Sequence, residues 1–480
     1  IMTSKIKVDN INKVSDDSNI IKKCGSTITI GSCGASVALA SGATQTGFGR
    51  AGSVNWCSTI YTNSPGTVTA TSGKGFFLNT TSGAITINLP SSPSFGDIVA
   101  IKDYANTFQS NNVTVGRGGS KISGNCQDGI LNTQGDSITL VFTDSTRGWL
   151  NVNTDDTIEG VQHVAATGGT VLTVGDFKTH IFTSSGCFQV TNAGNAQGSN
   201  KIDYFVVGGG GGGGVLEGGG GGGAGGFRVS NEYSLPGGLT SPLANPTGLT
   251  ASVATFPITV GAGGTAGSPP ATDSVSGSPA VFSTITSTGG GRGGRWNSPG
   301  DRPGGDGGSG GGGSGRAPGT AYIAGSGNTP PVSPPQGNNG GNGEPGSSNP
   351  DRGGGGGGAG AVGTTVSGNP AGPGGAGSFI DANFIGPTAP SYGTTGPVSN
   401  TRYFAGGGGG GKDSDSPNGG TGGCGANGGG NGGSADGSPR NATAGTANTG
   451  GGGGGQGSSS QPGSGAGGSG IVMLRYKFQN

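Results

Sequence analysis

The chain has 480 residues, of which 118 are glycine, and its charge is sparse and balanced at 24 basic and 24 acidic residues. Because phosphate backbones are bound by clusters of Lys and Arg, a chain without a basic stripe is a poor candidate for binding nucleic acid. We find no apolar stretch of the ~18 residues that a membrane-spanning helix needs. Residues 1–23 contain lysines but lack the apolar core of a signal peptide, so we expect Met2 to be the natural start and export by this route to be absent.

Residues 1–73 contain short alternating segments at 5–9 and 26–30. Alternation predicts strands with one covered face, but strands this short bury too little surface for a lone chain. We therefore predict that residues 1–73 form an N-terminal attachment and oligomerisation region.

Residues 74–157 show the spacing of a compact β domain. Short β-prone segments are separated by Gly, Pro, Asn and Asp, which is typical of a sandwich or barrel. The predicted strands are 76–79, 84–89, 97–102, 112–115, 137–143 and 148–152. We find no helical period, and the predicted fold class is all-β, with a β-sandwich-like fibre domain here.

Residues 158–207 and 471–480 are predicted to form a small β-sheet that frames the rest of the chain. Its strands are predicted at 169–174, 177–183, 187–190, 201–207 and 471–478. Because the last two bracket a glycine-rich segment, we expect them to pair in one sheet, with residues 208–470 as a long insertion.

The insertion is a different kind of polymer from the first 200 residues. Of the 118 glycines, 26 lie in residues 1–200 and 92 in residues 201–480, far above the usual ~7%. Glycine runs occur at 208–214, 218–223, 353–358, 406–411 and 451–455. A flexible linker is one interpretation. We favour a bundle of polyglycine II helices, extended threefold rods whose backbones bond to one another, because unpaired backbone is costly.

Several motifs suggest chemistry, but the residues around them do not support it. The glycines after Val207 match a dinucleotide-binding turn, and 406–411 with Lys412 matches a P-loop, yet neither is followed by a sequence that forms a helix. The histidines, His163 and His180, are too few for a metal cluster or catalytic triad. Asp155, Asp156 and Glu159 fit either a calcium site or, as we favour, a solvated linker. We expect no cofactor, no metal and no enzymatic activity.

The six cysteines contain no CxxC pair, and we interpret them as free or buried thiols. Residues for recognition are expected on loops that a rigid scaffold holds. The candidates are Arg295, Trp296, Asn297, Tyr322 and Tyr392, since aromatic faces suit sugar rings and outer-membrane loops. The alternative, equally favoured for Trp296 and Tyr322, is that they cap the bundle and exclude water. For Phe379, Phe384, Tyr403 and Phe404 we favour this packing role.

Four segments together resemble a known group of proteins. The opening at 5–9, the segment 77–149, the strand at 180–186 and the entry and exit of the glycine region are similar to fibre proteins of phages that infect marine cyanobacteria. The glycine region also resembles the distal adhesins of some long-tailed phages, in which polyglycine II helices carry receptor-binding loops.

This resemblance implies a virion tail-fibre or adhesin subunit, assembled in the host cytoplasm. It also implies a homotrimer that attaches to other tail proteins through its N-terminus. The implied partner is a host surface glycan or outer-membrane protein, bound by residues 208–470. Two alternatives stay open, an extracellular polyglycine II structural or ice-binding protein and a fibre-borne polysaccharide depolymerase.

Overall fold

The computed structural model describes residues 10–12, 19–24, 27–30, 54–153, 159–160, 162–196, 198–234, 240–270, 272–295, 302–315, 322–344, 351–367, 370–413, 425–435 and 441–479. Within these residues the chain is all-β, which confirms the predicted fold class; the helices are two short 3-10 segments at Ala382–Phe384 and Gly386–Ser391. No helix in the described ranges has the length and apolar character needed to cross a membrane. The chain divides into two compact units, Ile1–Gly160 and Val161–Asn480.

The first unit contains a small antiparallel sheet and a larger two-sheet domain. The strands of the small sheet are β1 (Asn10–Asn12), β2 (Asn19–Cys24) and β3 (Thr27–Ile30). Those of the domain are β4 (Asn55–Tyr61), β5 (Thr67–Thr69), β6 (Lys74–Leu78), β7 (Ile85–Asn88), β8 (Ile98–Asp103), β9 (Val113–Gly116), β10 (Gly129–Leu131), β11 (Ser137–Asp144), β12 (Gly148–Asn151) and β13 (Glu159–Gly160).

Successive strands of this domain alternate between two facing sheets. In one sheet β4, β6 and β8 are parallel neighbours, and in the other β5, β7 and β9 are. The chain therefore winds through three coils, each with one strand per sheet, which is the logic of a β-solenoid. The antiparallel strands β10, β11 and β12 then extend the two sheets. Inward residues such as Ile85, Ile87 and Trp149 form the core between the sheets.

The predicted strands of this domain all occur, with ends shifted by one or two residues. Four strands that we did not predict, β4, β5, β10 and β13, belong to the same two sheets. The sheets therefore include strands that precede residue 74, where we placed the start of the domain. The predicted segment 5–9 and the residues Asp155 and Asp156 lie outside the described residues.

The second unit carries the remaining strands. They are β14 (Val164–Thr167), β15 (Thr170–Val174), β16 (Phe177–Phe182), β17 (Gly186–Ala193), β18 (Lys201–Val207), β19 (Phe227–Ser230), β20 (Ala244–Asn245), β21 (Leu249–Thr250), β22 (Ala254–Thr259), β23 (Ala280–Phe282), β24 (Ile285–Ser287), β25 (Asp351–Arg352), β26 (Ser378–Asp381), β27 (Thr401–Phe404), β28 (Lys412–Asp413) and β29 (Ile471–Lys477).

A sheet of order β15-β16-β29-β18-β19-β20 organises this unit, and β18 also pairs with β21. As the sequence predicts, β18 and β29 pair with each other, antiparallel, with Val207 opposite Ile471. Side chains on one face pack on a second sheet of order β14-β17-β22-β23-β24. Those on the other face pack on β26, β27 and the two 3-10 segments, including Phe384 and Phe404. Both strands are thus buried on both faces.

The glycine runs form extended rods that hydrogen-bond to one another. Along residues 208–214, every third N–H donates to a carbonyl of the same neighbouring segment. The first, fourth and seventh N–H groups donate to residues 220–226. The second and fifth donate to 275–278, and the third and sixth donate to 465–468. The carbonyls of this rod accept from 264, 290–293 and 453–456. A central rod therefore has six neighbours, as threefold symmetry of the polyglycine II helix requires.

The rods lie so close that side chains would not fit between them. A Cβ atom added at Gly210, Gly221 or Gly356 would lie less than 3.0 Å from a carbonyl oxygen of another rod. Glycine is needed here for the close approach of backbones, the same steric reason that applies along the collagen axis. The glycines after Val207 form a rod and not a helix, and those before Lys412 form a rod as well; residues 414–424, which follow the second motif, lie outside the described residues.

Candidate functional site at the distal end of the glycine bundle

The rods have two ends, and we call the end farthest from the β18–β29 strand pair the distal end. The rod 208–214 leaves β18 at Val207 and reaches the distal end at Val215. The rod 288–294 runs parallel to it, because Gly290 and Gly293 donate to the carbonyls of Gly209 and Gly212. Arg295, which follows this rod, is therefore at the distal end, and the loops that join rods there are presented by a hydrogen-bonded scaffold.

Arg295 is buried, with 4% of its surface exposed. Its Nη1 atom lies 2.5 Å from Oδ1 of Asp273, and Oδ2 of Asp273 lies 3.1 Å from Nε of Arg302. The backbones of Arg295 and Arg302 exchange two hydrogen bonds of 2.8 Å, which close the loop between them. Asp273 thus joins Arg295 and Arg302, the residues on either side of the loop 296–301, which lies outside the described residues.

The other predicted recognition residues fall in three places. Tyr322 lies at the distal end, half-buried, and its carbonyl accepts a hydrogen bond from the Gly343 N–H. Trp296 and Asn297 lie outside the described residues. Tyr392 lies at the opposite end of the bundle, where it packs on the core around Phe384. The structure therefore brings Arg295 and Tyr322 to the same end and separates both from Tyr392.

The aromatic residues that we expected to pack do so. Phe384, Tyr403 and Phe404 are buried, and Phe379 contacts the ring of Tyr403 with centroids 5.4 Å apart. His180 is also buried in β16 between Phe188 and Tyr476. In the described part of the chain, Cys57, Cys126 and Cys187 are free thiols, as predicted.

A group of carboxylates at the distal end was not predicted. Carboxylate oxygens of Glu217, Asp351 and Asp413 lie within 4.8 Å of one another, with Asp351 buried and the other two half-buried. Asp351 and Asp413 face each other across the β25–β28 pair, next to the buried Lys412. Oxygen ligands of this type suit Ca²⁺, but a neighbouring ammonium group serves the same carboxylates equally well.

The sequence contains a signal for this charged layer that we did not use. Glu217 interrupts two glycine runs, Asp351 and Arg352 precede a third, and Lys412 and Asp413 follow a fourth. Because antiparallel rods of similar length end at the same level, charges that flank glycine runs gather there. The ion pair between Arg352 Nη1 and Glu344 Oε2, 2.7 Å apart, belongs to the same charged layer.

The opposite end of the bundle offers little space for a ligand. A cavity of about 10 Å³ lies between β19 and β26, lined by five apolar and five polar residues, Asp381 among the latter. This volume holds about one water molecule, whereas pockets for small substrates measure ~300 Å³ or more. Oδ2 of Asp381 is buried and has no hydrogen-bond partner among the residues that the structure describes, and a water in this cavity would satisfy it.

These features define a glycine-rich domain, a bundle of polyglycine rods framed by β-sheet, with loops and charges at its free end. The chain belongs to the family described as glycine-rich domain, whose model matches residues 183–477. The match begins one residue after β16 and ends at the last residue of β29, so it includes the bundle and the strands β18 and β29 that frame it. A search of curated proteins finds no match to this chain.

Proposed function

We propose that the protein is a tail-fibre or adhesin subunit of a virion, and that the distal loops of its glycine bundle bind the surface of the host cell. The observation that carries this proposal is the bundle itself. Rods bonded to as many as six neighbours form a stiff scaffold that contributes little chemistry of its own. Loops join the rods at both ends, and those at the distal end differ from one another in sequence; variable loops on a rigid scaffold are how binding surfaces are generally built.

The composition of the distal end supports recognition of a polar surface. It combines the half-buried ring of Tyr322 with the charges of Asp273, Arg302, Glu344 and Arg352. Tyr and Arg are the residue types most often found at binding hot spots. A host glycan or an outer-membrane protein would offer the hydroxyl and charged groups that this surface can bind.

The remaining parts of the proposal come from the resemblance to phage fibres. Residues 1–73 would attach the subunit to other tail proteins, and three copies would form the fibre. The parallel edge strand β4 supports self-association, because its side chains are mostly exposed and it contains no charged residue or proline to discourage pairing.

Cell binding by the purified full-length chain tests the proposal. Fluorescently labelled protein is applied to a panel of marine cyanobacteria, the hosts that the resemblance implies. We expect saturable binding to at least one strain. Tyr322→Ala should weaken this binding by about tenfold or more without changing the melting temperature, because a hot-spot aromatic contributes roughly 2 kcal/mol. Trp296→Ala is expected to act in the same way.

A matched control separates recognition from general stickiness. Tyr104 is 52% exposed in the first unit, and Tyr104→Ala should bind cells as the wild type does. If no strain is bound, or if both tyrosine variants lose the same affinity, the distal end is not the adhesive surface. A loss of thermal stability in Tyr322→Ala would instead support the capping role.

The carboxylate group favours one second candidate, a depolymerase carried on the fibre. Glycosidases use two carboxylates ~5–9.5 Å apart on either side of the scissile bond, and the carboxylate oxygens of Glu217, Asp351 and Asp413 lie within 4.8 Å of one another, just below this range. Incubation of the chain with capsular polysaccharide distinguishes the two functions. Oligosaccharide release that Glu217→Gln abolishes would establish cleavage, and binding without release would exclude it.

A further inference from the structure

Three arginines surround one carboxylate at the distal end of the bundle. Arg292 and Arg295 lie in and after the rod 288–294, Arg302 lies opposite Arg295, and Asp273 is the acidic partner of Arg295 and Arg302. Among the described residues of this group, three positive charges lie near one negative charge, although the whole chain is neutral; Asp301, which precedes Arg302, lies outside the described residues. An excess of positive charge favours the approach of an anion.

Arg295 is the most buried arginine of this group. It is almost wholly buried, yet its Nε atom has no hydrogen-bond partner among the described residues, and its contact with Asp273 is made through Nη1. A buried guanidinium N–H without an acceptor is costly, because it has lost water and gained nothing in exchange. An anionic oxygen that reached the site would supply the missing acceptor.

Arg302 and Arg292 are more accessible to solvent than Arg295. The side chain of Arg302 is 51% exposed and contacts Asp273 through Nε, and its two terminal nitrogens have no ion-pair partner in the part of the chain that the structure describes. Arg292 is half-buried among the same groups. Burial lowers the pKa of Arg292, and the nearby charges of Arg302 and Arg295 lower it further, while Asp273 opposes them. The positive charges are therefore held together at a cost that a bound anion would relieve.

We propose that Arg292, Arg295 and Arg302 form an anion-binding site that takes a carboxylate or phosphate group of an acidic surface polysaccharide. The planar guanidinium group donates two parallel hydrogen bonds to such oxyanions, which makes arginine the residue best suited to them. This inference rests on the proposed function, since it names the class of receptor that the distal end would recognise. It also makes binding dependent on salt, because exposed charges are screened.

Binding of the full-length protein to defined polysaccharides tests the site without host cells. The probes are polygalacturonate for the carboxylate, a phosphomannan for the phosphate and dextran as a neutral polymer. The affinity for each polymer is measured by calorimetry at low and at high salt. We expect the protein to bind one or both acidic polymers but not dextran, and to bind more weakly at high salt. The two acidic arms show which oxyanion the site prefers.

Charge-removing variants then localise the binding. Arg302→Gln and Arg292→Gln should each weaken binding to the acidic polymer by about tenfold or more while the melting temperature stays unchanged. Arg147→Gln, which removes an exposed arginine of the first unit, is the matched control and should bind as the wild type does. Arg292 makes no ion pair within 4.0 Å in the described residues, so its variant tests anion binding without breaking the pair to Asp273.

The outcomes distinguish this inference from the proposed function. Equal affinity for dextran, no binding to either acidic polymer, or full affinity in both arginine variants would overturn the anion site. If the wild type and Arg302→Gln bind cells equally, adhesion stands and the anion site fails. If the wild type binds acidic polymer in an arginine-dependent way but binds no cell, the site stands and the adhesin proposal fails.

Discussion

Glycine is required at particular positions because a side chain there would collide with the backbone of neighbouring rods. At Gly221, an added Cβ would lie less than 3.0 Å from the carbonyl oxygen of Gly408 on one neighbouring rod and 2.9 Å from the N atom of Gly356 on another. Both obstacles are backbone, so neither can rotate away as a side chain would. The steric requirement comes from the packing of rods and not from an unusual dihedral angle, and it holds along most of the glycine runs.

Gly221→Ala should therefore lower the free energy of unfolding of the second unit by about 3 kcal/mol or more, the upper range for overpacking. Gly186→Ala is the control, because Gly186 is exposed in β17 and an added Cβ would meet only Phe182 at 3.7 Å, an ordinary contact. Denaturant unfolding followed by circular dichroism measures both. Equal stability of the two variants would show that the rods are not in close contact.

Burial favours the neutral form of His180. The Gly168 carbonyl can only accept, so Nδ1 of His180 carries the proton and donates to it at 2.7 Å, while Nε2 accepts from the Tyr476 hydroxyl at 3.0 Å. Burial lowers the pKa of His180, the charge of Lys178 lowers it further, and the bond to Gly168 acts in the opposite direction. The folded protein therefore resists protonation at a pH where the unfolded chain accepts a proton.

We predict that the stability of the second unit is full above pH ~6.5 and falls as the pH drops below that value towards the lowered pKa, because the unfolded state then binds more protons. The melting temperature measured by calorimetry from pH 7.5 to pH 5 should decrease. His180→Gln should show a smaller decrease, whereas His163→Gln should keep most of it, since His163 is only partly buried. An unchanged slope in His180→Gln would contradict the assignment.

Among the elements, strands β18 and β29 hold the second unit together. They are adjacent in the sheet, buried on both faces, and each leads directly into or out of a rod. Asp203 and Arg475 face each other across the pair, 3.7 Å apart and almost wholly buried. Burial raises the pKa of Asp203 and lowers the pKa of Arg475 to about 10, so each charge depends on the other.

Removal of one partner should cost more than removal of both. Asp203 also accepts hydrogen bonds from Ser230 and from the backbones of Glu232 and Tyr233, and Arg475 lies 3.7 Å over the ring of Phe177. We expect Asp203→Asn and Arg475→Met each to destabilise the unit by about 3–5 kcal/mol. The double variant should lose less than the sum. A double-mutant cycle of unfolding free energies measures this, and strict additivity would show that the two charges do not interact.

The strands with a strong alternating or apolar pattern could be predicted from the sequence, whereas weaker ones could not. Segments such as 202–207 and 471–478 combine β-branched, aromatic and aliphatic residues and occur where expected. The strand β4 was missed because its side chains are mostly exposed, and β10 because it has only three residues. The parallel pairing between alternate strands was not predictable either, since it depends on how coils stack and not on any one segment.

At the scale of the whole molecule, the glycine runs form hydrogen-bonded rods that together make a rigid spacer. A run of six residues in the polyglycine II conformation spans about 19 Å at ~3.1 Å per residue. The runs themselves could be found in the sequence, and so could the bonding between rods. Which loops share an end could not, because it depends on the direction of every rod. Arg295 and Tyr322 thus lie at the same end of the bundle as Asp273 and Arg302, while Tyr392 lies at the other end.

The central claim, that consecutive glycines form mutually hydrogen-bonded rods, is tested most directly by amide hydrogen exchange of the intact chain. Leu216 and Phe227 provide cleavage sites that isolate the two rods around residues 208–226 for mass spectrometry. These amides donate to neighbouring rods, so we predict exchange slowed by about a thousandfold or more, while the exposed edge strand at Asn55–Tyr61 exchanges faster. Exchange of residues 208–226 at the rate of an unfolded chain would contradict the account.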